Sequence, residues 1–135
     1  MTKRVAEATI RLMVVHWHPV VLRGLTAFLV HEPEMKLVGV ASTCEQTLDM
    51  AAELHPDLVL MGYSTPAMGG IEATRRLTEL HPDMRVVLIG AVDTPERVAR
   101  VLESGGKAYV LLETPPWELA GMLRGLFRGG DPTVA

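Results

Sequence analysis

Apolar and polar positions along this chain repeat one unit five times. Each unit opens with a short, almost wholly apolar run, which is typical of a parallel strand buried on both faces. Apolar residues at helical spacing follow each run and predict an amphipathic helix. The predicted strands are residues 10–15, 36–41, 57–61, 84–89 and 108–112.

Local start signals support the predicted helices. Ser42 with Glu45 and Thr43 with Gln46 form two overlapping capping-box patterns at the start of the second helix. Thr94-Pro95 places an N-cap residue directly before a proline suited to the first helical position. The last helix is predicted to begin in the same way, at Thr114-Pro115.

Strands that alternate with helices predict an α/β fold, because parallel strands need crossover connections and these place helices on both faces of the sheet. We predict a doubly wound five-stranded parallel sheet in the flavodoxin-like order 2-1-3-4-5. Its crevice is expected at the carboxyl ends of strands one and three. The 135 residues suffice for one domain. We predict an N-terminal lead-in over residues 1–9, the domain over 10–129, and a tail or the start of a linker over 130–135.

The composition argues against several classes of function. The net charge is -3 and the 13 Lys and Arg residues are scattered, whereas a nucleic-acid-binding surface would cluster them. The single cysteine, Cys44, cannot form an internal disulfide, which fits a reducing compartment. No apolar run approaches the roughly 18 residues of a membrane span. We therefore expect a cytoplasmic protein without a membrane partner.

Particular segments point to a family. Residues 10–15, 18–25, 38–41, 55–61, 69–77 and 109–112 resemble the receiver domain of bacterial two-component response regulators, and most closely the LuxR/NarL-type subfamily. The resemblance runs from about residue 10 to residue 128. It implies a CheY-like fold and a part in signal transduction, including transcription control and phosphorelay.

The positions that would carry the family's phosphoryl chemistry differ in this chain. The resemblance places two Mg²⁺-binding acids, a phospho-accepting Asp, a hydroxyl residue and a Lys at sites occupied respectively by His16 and Trp17, Gly62, Gly90, and Leu112. Tyr109 retains the family's switch aromatic.

These residues lack the required chemistry. Phosphoryl transfer needs a nucleophile and cationic stabilisation of the transferred group, and Mg²⁺ prefers oxygen ligands. We therefore expect neither enzymatic activity nor a cofactor, and no Mg²⁺ binding.

Other residues near the crevice offer weaker alternatives. Asp57 begins the third strand and should lie roughly 16 Å from its far end. Ser64 and Thr65 are hydroxyl residues in the following loop, where turn chemistry explains them. His16 and His18 are two residues apart and could begin a metal site, but no third ligand is evident, so a metal is not predicted.

Two functions remain open. The first is a phosphorylation-independent regulatory or dimerisation module, with any DNA contact made by an output domain absent from this chain. By resemblance, its homodimer or partner would use the fourth helix, fifth strand and fifth helix. The candidate interface residues are Arg97, Arg100, Glu103, Tyr109 and Trp117.

The second function is a small-molecule sensor. Its ligand would occupy the crevice left by the missing acids. The candidate lining residues are His16, Trp17, Gly62, Ser64, Thr65, Gly90 and Leu112. A crevice closed by the large ring of Trp17 would favour the interaction module, and an open one the sensor.

Overall fold

A computed structural model describes residues 9–64 and 68–129. Five strands alternate with five helices in this part of the chain: β1 Ile10–Val15, α1 Pro19–Leu29, β2 Met35–Ala41, α2 Cys44–Leu54, β3 Leu58–Gly62, α3 Gly70–Leu80, β4 Arg85–Gly90, α4 Pro95–Glu103, β5 Ala108–Leu111 and α5 Pro116–Phe127. The predicted strands agree within one residue at each end. The predicted tail and all of the predicted lead-in except Thr9 lie outside the described residues.

The strands form one parallel sheet in the order β2-β1-β3-β4-β5, which confirms the predicted topology. Near the carboxyl ends of the strands, Val15 pairs with Met61, and Gly62 pairs with Ile89. Gly90 pairs with Leu111 in the same way. The ends of β1, β3, β4 and β5 therefore meet along one edge of the sheet.

The alternation of side chains along each strand divides the core into two layers. Leu12 and Val14 of β1 belong to the layer beneath α1 and α5. Met13 and Val15 belong to the opposite layer, which includes buried residues of α2, α3 and α4. Every residue of β3 is buried. The sheet is thus covered on both faces, as its apolar strands predict.

The helix starts follow the capping signals with small differences. Thr43 caps α2, and its hydroxyl accepts from the Gln46 N–H at 3.0 Å. The Gln46 side chain returns to the Ser42 N–H instead of that of Thr43, also at 3.0 Å. The Thr94 hydroxyl accepts from the Arg97 N–H at 3.3 Å and caps α4 as predicted.

Two ion pairs join α5 to the segment that follows α1. Arg124 binds Glu32 with an N–O distance of 2.9 Å, and Arg128 binds Glu34 at 2.9 Å. These contacts hold α1 and α5 side by side on one face of the sheet. In the described ranges, no helix combines the length and the apolar character needed to cross a bilayer.

Candidate functional site

The candidate site lies at the edge where the strands end. His16 follows β1, Gly62 and Gly90 end β3 and β4, and Leu112 follows β5. Parallel pairing brings these positions to one edge, which is where doubly wound sheets bind their ligands. Asp57 lies at the other edge, where its carboxylate accepts from the Arg11 N–H at 2.8 Å.

The imidazole of His16 occupies the space above Gly62. A Cβ atom on Gly62 would lie 3.0 Å from Cδ2 and 3.4 Å from Nε2 of His16. The first distance is shorter than ordinary carbon–carbon contacts, and His16 is only 8% exposed. Any larger residue at position 62 would compete with this ring for the same space.

Backbone hydrogen bonds fix the orientation of His16. Its Nδ1 accepts from the His18 N–H at 3.1 Å, and Nδ1 of His18 accepts from the Val20 N–H at 3.2 Å. Burial lowers the pKa of His16, and the nearby His18 lowers it further. His16 is therefore held as a neutral imidazole with its proton on Nε2. His18 in turn caps α1.

The same hydrogen bonds occupy one nitrogen of each histidine that could otherwise bind a metal ion at this edge. Each of the two histidines already uses Nδ1 to accept a backbone N–H. In residues 9–64 and 68–129, no three His, Cys, Asp or Glu side chains are grouped so that they could hold a metal ion.

Trp17 does not close the crevice, so of the two outcomes considered from the sequence the ring of Trp17 leaves the edge open. Its side chain is 46% exposed, and its ring stacks beside His16 with centroids 6.3 Å apart. Successive residues of an extended segment point to opposite sides. His16 therefore points inward to Gly62, while Trp17 points outward.

Tyr109 is fully buried, and its hydroxyl donates to the Val92 carbonyl. A Cβ atom on Gly90 would collide with this hydroxyl and would lie 3.0 Å from Cζ. Tyr109 also packs edge-to-face against Tyr63, with centroids 5.5 Å apart. The expectation that Tyr109 contributes to a contact surface is therefore wrong for this conformation, because the ring fills the space that Gly90 leaves open.

Leu112 packs with the core layer of α1 and α5, and lines a groove with Val21 and Leu25. The reason is the strand alternation that continues from Val110. Of the other predicted lining residues, Ser64 is exposed and Thr65 lies outside the described residues, so the crevice as a whole stays a prediction.

The predicted interface residues divide between two surfaces. Arg100 and Glu103 are exposed on α4, and the Arg97 guanidinium lies 4.6 Å from the centroid of the Tyr63 ring. Trp117 is 68% exposed. Its spacing of seven residues from Arg124 places it on the flank of α5 that faces α1. It therefore does not share the α4 surface as expected.

The parallel strand order and the two helical layers define the class of doubly wound, CheY-like α/β domains. The model of the response regulator receiver domain matches residues 12–124. The chain belongs to the response regulator receiver domain family.

Relatives of known sequence agree with this assignment. The response regulator GacA of Pseudomonas viridiflava is 36% identical over 120 residues, which cover 89% of this chain and 56% of GacA. The transcriptional regulatory protein YhcZ of Bacillus subtilis, itself uncharacterized, is 37% identical over 102 residues, covering 76% of this chain and 48% of YhcZ. The chain thus spans about half the length of these curated relatives.

Solved structures are similar across the domain. A LuxR-family two-component response regulator from Aurantimonas sp. SI85-9A1 superposes with a TM-score of 0.87 at 26% identity, covering 94% of this chain and 89% of that structure. The signal receiver domain of NarL from Mycobacterium tuberculosis gives 0.85 at 25% identity, covering 90% and 98%. The chain is therefore a receiver domain with LuxR- and NarL-type relatives.

Proposed function

We propose that this receiver domain regulates its partners without being phosphorylated at the end of β3. The observation that carries the proposal is the imidazole of His16, which occupies the space beside Gly62 where an acceptor side chain would extend. Gly62 has no nucleophile, and the buried His16 is neutral. Among the described residues, position 62 therefore offers no group that would accept a phosphoryl group, and positions 16 and 17 offer no oxygen ligands for Mg²⁺.

The switch region supports the same proposal. Tyr109 is already packed inside, in the space that a side chain at position 90 would otherwise share. Its inward position is stabilised by the hydrogen bond to Val92 and by the ring of Tyr63. The surface near α4 would then be held in one arrangement, and no covalent change at the edge would be needed to set it.

We further propose that the domain acts in transcription control through an output domain outside this chain, as a non-enzymatic module. Support comes from the relatives, which are about twice as long as the matched segment and include proteins named as transcriptional regulators. Contacts with a partner would use α4, β5 and α5, with exposed Arg100 and Glu103 at the rim. Single exposed ion pairs contribute little, so these residues would give specificity more than affinity.

Trp17 leaves this edge uncovered, which is the outcome that would favour the sensor, but the ring of another residue occupies the crevice. His16 fills the space beside Gly62, and Leu112 lines a different groove. The interaction module is therefore the proposal that we carry forward.

Labelling with acetyl phosphate and Mg²⁺ tests the proposal. We expect no added phosphate in the intact mass, with a receiver that autophosphorylates under the same conditions as the positive control. Acid-labile, hydroxylamine-sensitive phosphate on this protein would overturn the proposal.

Restored variants make the test sharper. Gly62→Asp alone should remain unlabelled, because His16 still occupies the adjoining space and the Mg²⁺ ligands are still missing. Adding His16→Asp, Trp17→Asp and Leu112→Lys supplies those groups and should permit labelling. If Gly62→Asp alone were labelled as strongly as the combined variant, the ring of His16 would not be the obstacle.

A further inference from the structure

The pentapeptide Glu-Leu-His-Pro-Asp occurs twice in this chain, at residues 53–57 and 79–83. Each copy runs from the end of a helix toward the next strand, the first from α2 toward β3 and the second from α3 toward β4. Because β3 and β4 are parallel neighbours, both copies lie at the amino edge of the sheet, opposite the edge that carries Gly62. The site at the carboxyl edge therefore accounts for neither copy.

Only part of each copy has a structural explanation. A proline shortly after a helix ends it, and the Asp57 carboxylate accepts from the Arg11 N–H at 2.8 Å. Asp83, by contrast, forms no ion pair in the described ranges, and the rings of His55 and His81 make no hydrogen bond there. His55 also has a φ of 50°, a conformation that favours glycine. The hydrogen bonds of the fold thus do not explain the two imidazoles or Asp83.

The two copies line one pocket, which we call the amino-edge pocket. Its volume is about 380 Å³, which is within the range of small-molecule sites. The rings of His55 and His81 meet edge-to-face beside it, with centroids 6.2 Å apart. Asp57 and Asp83 contribute two carboxylates. The rest of the lining is apolar and consists of Pro56, Leu80, Pro82 and Met84.

The charges at this pocket favour a cation. Among the described residues that line it, none is a lysine or an arginine, and two are aspartates. The C-terminal ends of α2 and α3 both lie at this edge, and the C-terminus of a helix carries a partial negative charge. The imidazole rings add nitrogen atoms that can accept hydrogen bonds.

The first copy of the pentapeptide already binds a cation. The Arg11 guanidinium donates to the carbonyl oxygens of Leu54 and His55 at the end of α2. The equivalent carbonyls of the second copy belong to Leu80 and His81. No Lys or Arg side chain of the described residues binds them. A cation from outside the chain would therefore complete the second copy as Arg11 completes the first.

We propose that the amino-edge pocket binds a small organic amine in its ammonium form. An ammonium group has three hydrogen-bond donors, which suit the carboxylate of Asp83 and the imidazole nitrogens, and the apolar wall would receive the hydrocarbon body. A metal ion is less suitable, because no three His, Cys, Asp or Glu side chains in residues 9–64 and 68–129 are grouped to hold one. Such a ligand would give the domain an input that needs no phosphoryl transfer.

Titration of benzylamine into the ¹⁵N-labelled protein, followed by amide chemical shifts, tests the inference. Because His55 and Asp83 are exposed, we expect weak binding, with a dissociation constant on the order of 1 mM. The shifts should saturate and be largest at His55, Asp57, His81 and Asp83. Benzyl alcohol has the same shape without the charge and should bind about threefold more weakly. Equal binding of the alcohol, or shifts that do not saturate or that map away from the pocket, would overturn the inference.

Two variants separate the pocket from net charge. Asp83→Asn should weaken benzylamine binding about threefold, the effect of one exposed charge pair. Asp49→Asn is the matched control, since it removes the same charge from an exposed position of α2 outside the pocket, and it should leave binding unchanged. His55→Gly removes one imidazole and suits the φ of 50°, so the protein should remain folded and bind more weakly. An equal loss of affinity in Asp83→Asn and Asp49→Asn would contradict the inference.

A zinc titration distinguishes the two kinds of cation. Zn²⁺ should neither displace benzylamine nor shift the same amides at micromolar concentration. If it did both, the pocket would be a metal site and the inference would be wrong. None of these outcomes affects the proposed independence from phosphorylation, which the labelling experiment tests separately.

Discussion

Gly90→Ala should destabilise the domain, although the same change in most strands is harmless. The added methyl group would collide with the Tyr109 hydroxyl and would lie 3.0 Å from Cζ and 3.1 Å from Cε1. Tyr109 is fully buried, so it cannot simply swing into solvent without losing its packing. Overpacking of this kind costs about 1–3 kcal/mol. We expect the free energy of unfolding to fall by that amount.

A double-mutant cycle separates the collision from general strain. Tyr109→Phe alone should cost about 1 kcal/mol, the usual net value of one hydrogen bond, here the bond to Val92. With the hydroxyl absent, Gly90→Ala should cost about 1 kcal/mol less than it does in the native background. The cycle isolates this coupling because the only atom removed is the one that the methyl group meets first.

Urea unfolding followed by far-ultraviolet circular dichroism measures these free energies. Gly24→Ala is the control glycine, because a Cβ atom there meets nothing within 4 Å. In dilute, monomeric protein it should stabilise α1 by about 0.5–1 kcal/mol. If Gly90→Ala were as stable as the native protein, Tyr109 would not fill the space at Gly90 in solution, and the support from the switch region would be lost.

Three further predictions concern the site and its supports. Because burial lowers the pKa of His16 below 6.5, the unfolded chain takes up that proton more readily. The free energy of unfolding should therefore fall as the pH drops through 6.5, and it should fall less in His16→Asn; equal pH dependence in urea titrations would contradict this. Gly62→Ala should lower stability by about 1–3 kcal/mol, because its methyl group would lie 3.0 Å from the His16 ring, and it should do so less in a His16→Ala background. Thr94→Ala should cost about 1 kcal/mol in thermal unfolding by removing the cap on the Arg97 N–H, whereas Thr94→Ser should be nearly neutral.

The sheet and its order were predictable because each strand carries its own evidence. Buried parallel strands are continuously apolar, and the apolar runs at β1 and β3 are too short to predict a helix. Helix starts were predictable where a side chain does the capping, as at Thr43 and Thr94. The start of α5 was placed one residue too early, since Pro115 caps it without any side-chain hydrogen bond.

The arrangement within the site was harder to predict. Sequence alone identified His16, Trp17 and Gly62 as neighbours, but the direction of each ring depends on where β1 stops being regular. Side chains alternate between the two faces of the sheet along β1. Extending that alternation by one residue would have predicted that the side chain of His16 points inward. The same rule applied to β5 would have placed Leu112 beneath α1.

The exposed side of α5 that carries Trp117, Gly121 and Gly125 was missed for a different reason. Its glycines are unremarkable in the sequence, since a helical pattern tolerates one at an outer position. Only the structure shows that Gly121 and Gly125 have open space in front of them and that Trp117 stands beside a groove. The one usable signal was the spacing of four residues that joins the three positions along α5.

The ion pairs between α5 and the end of α1 also constrain how the chain folds as it is made. Arg124 and Glu32 are 92 residues apart in sequence, and Arg128 and Glu34 are 94 apart. During synthesis, the inner side of α1 has no helical neighbour on its face of the sheet until α5 emerges. Contacts of such long range form late and slow the folding of a domain. A nascent chain that ended before residue 116 would lack the α5 residues of the core layer against which Leu25 and Phe28 pack, so the last helix completes the layer that the first begins.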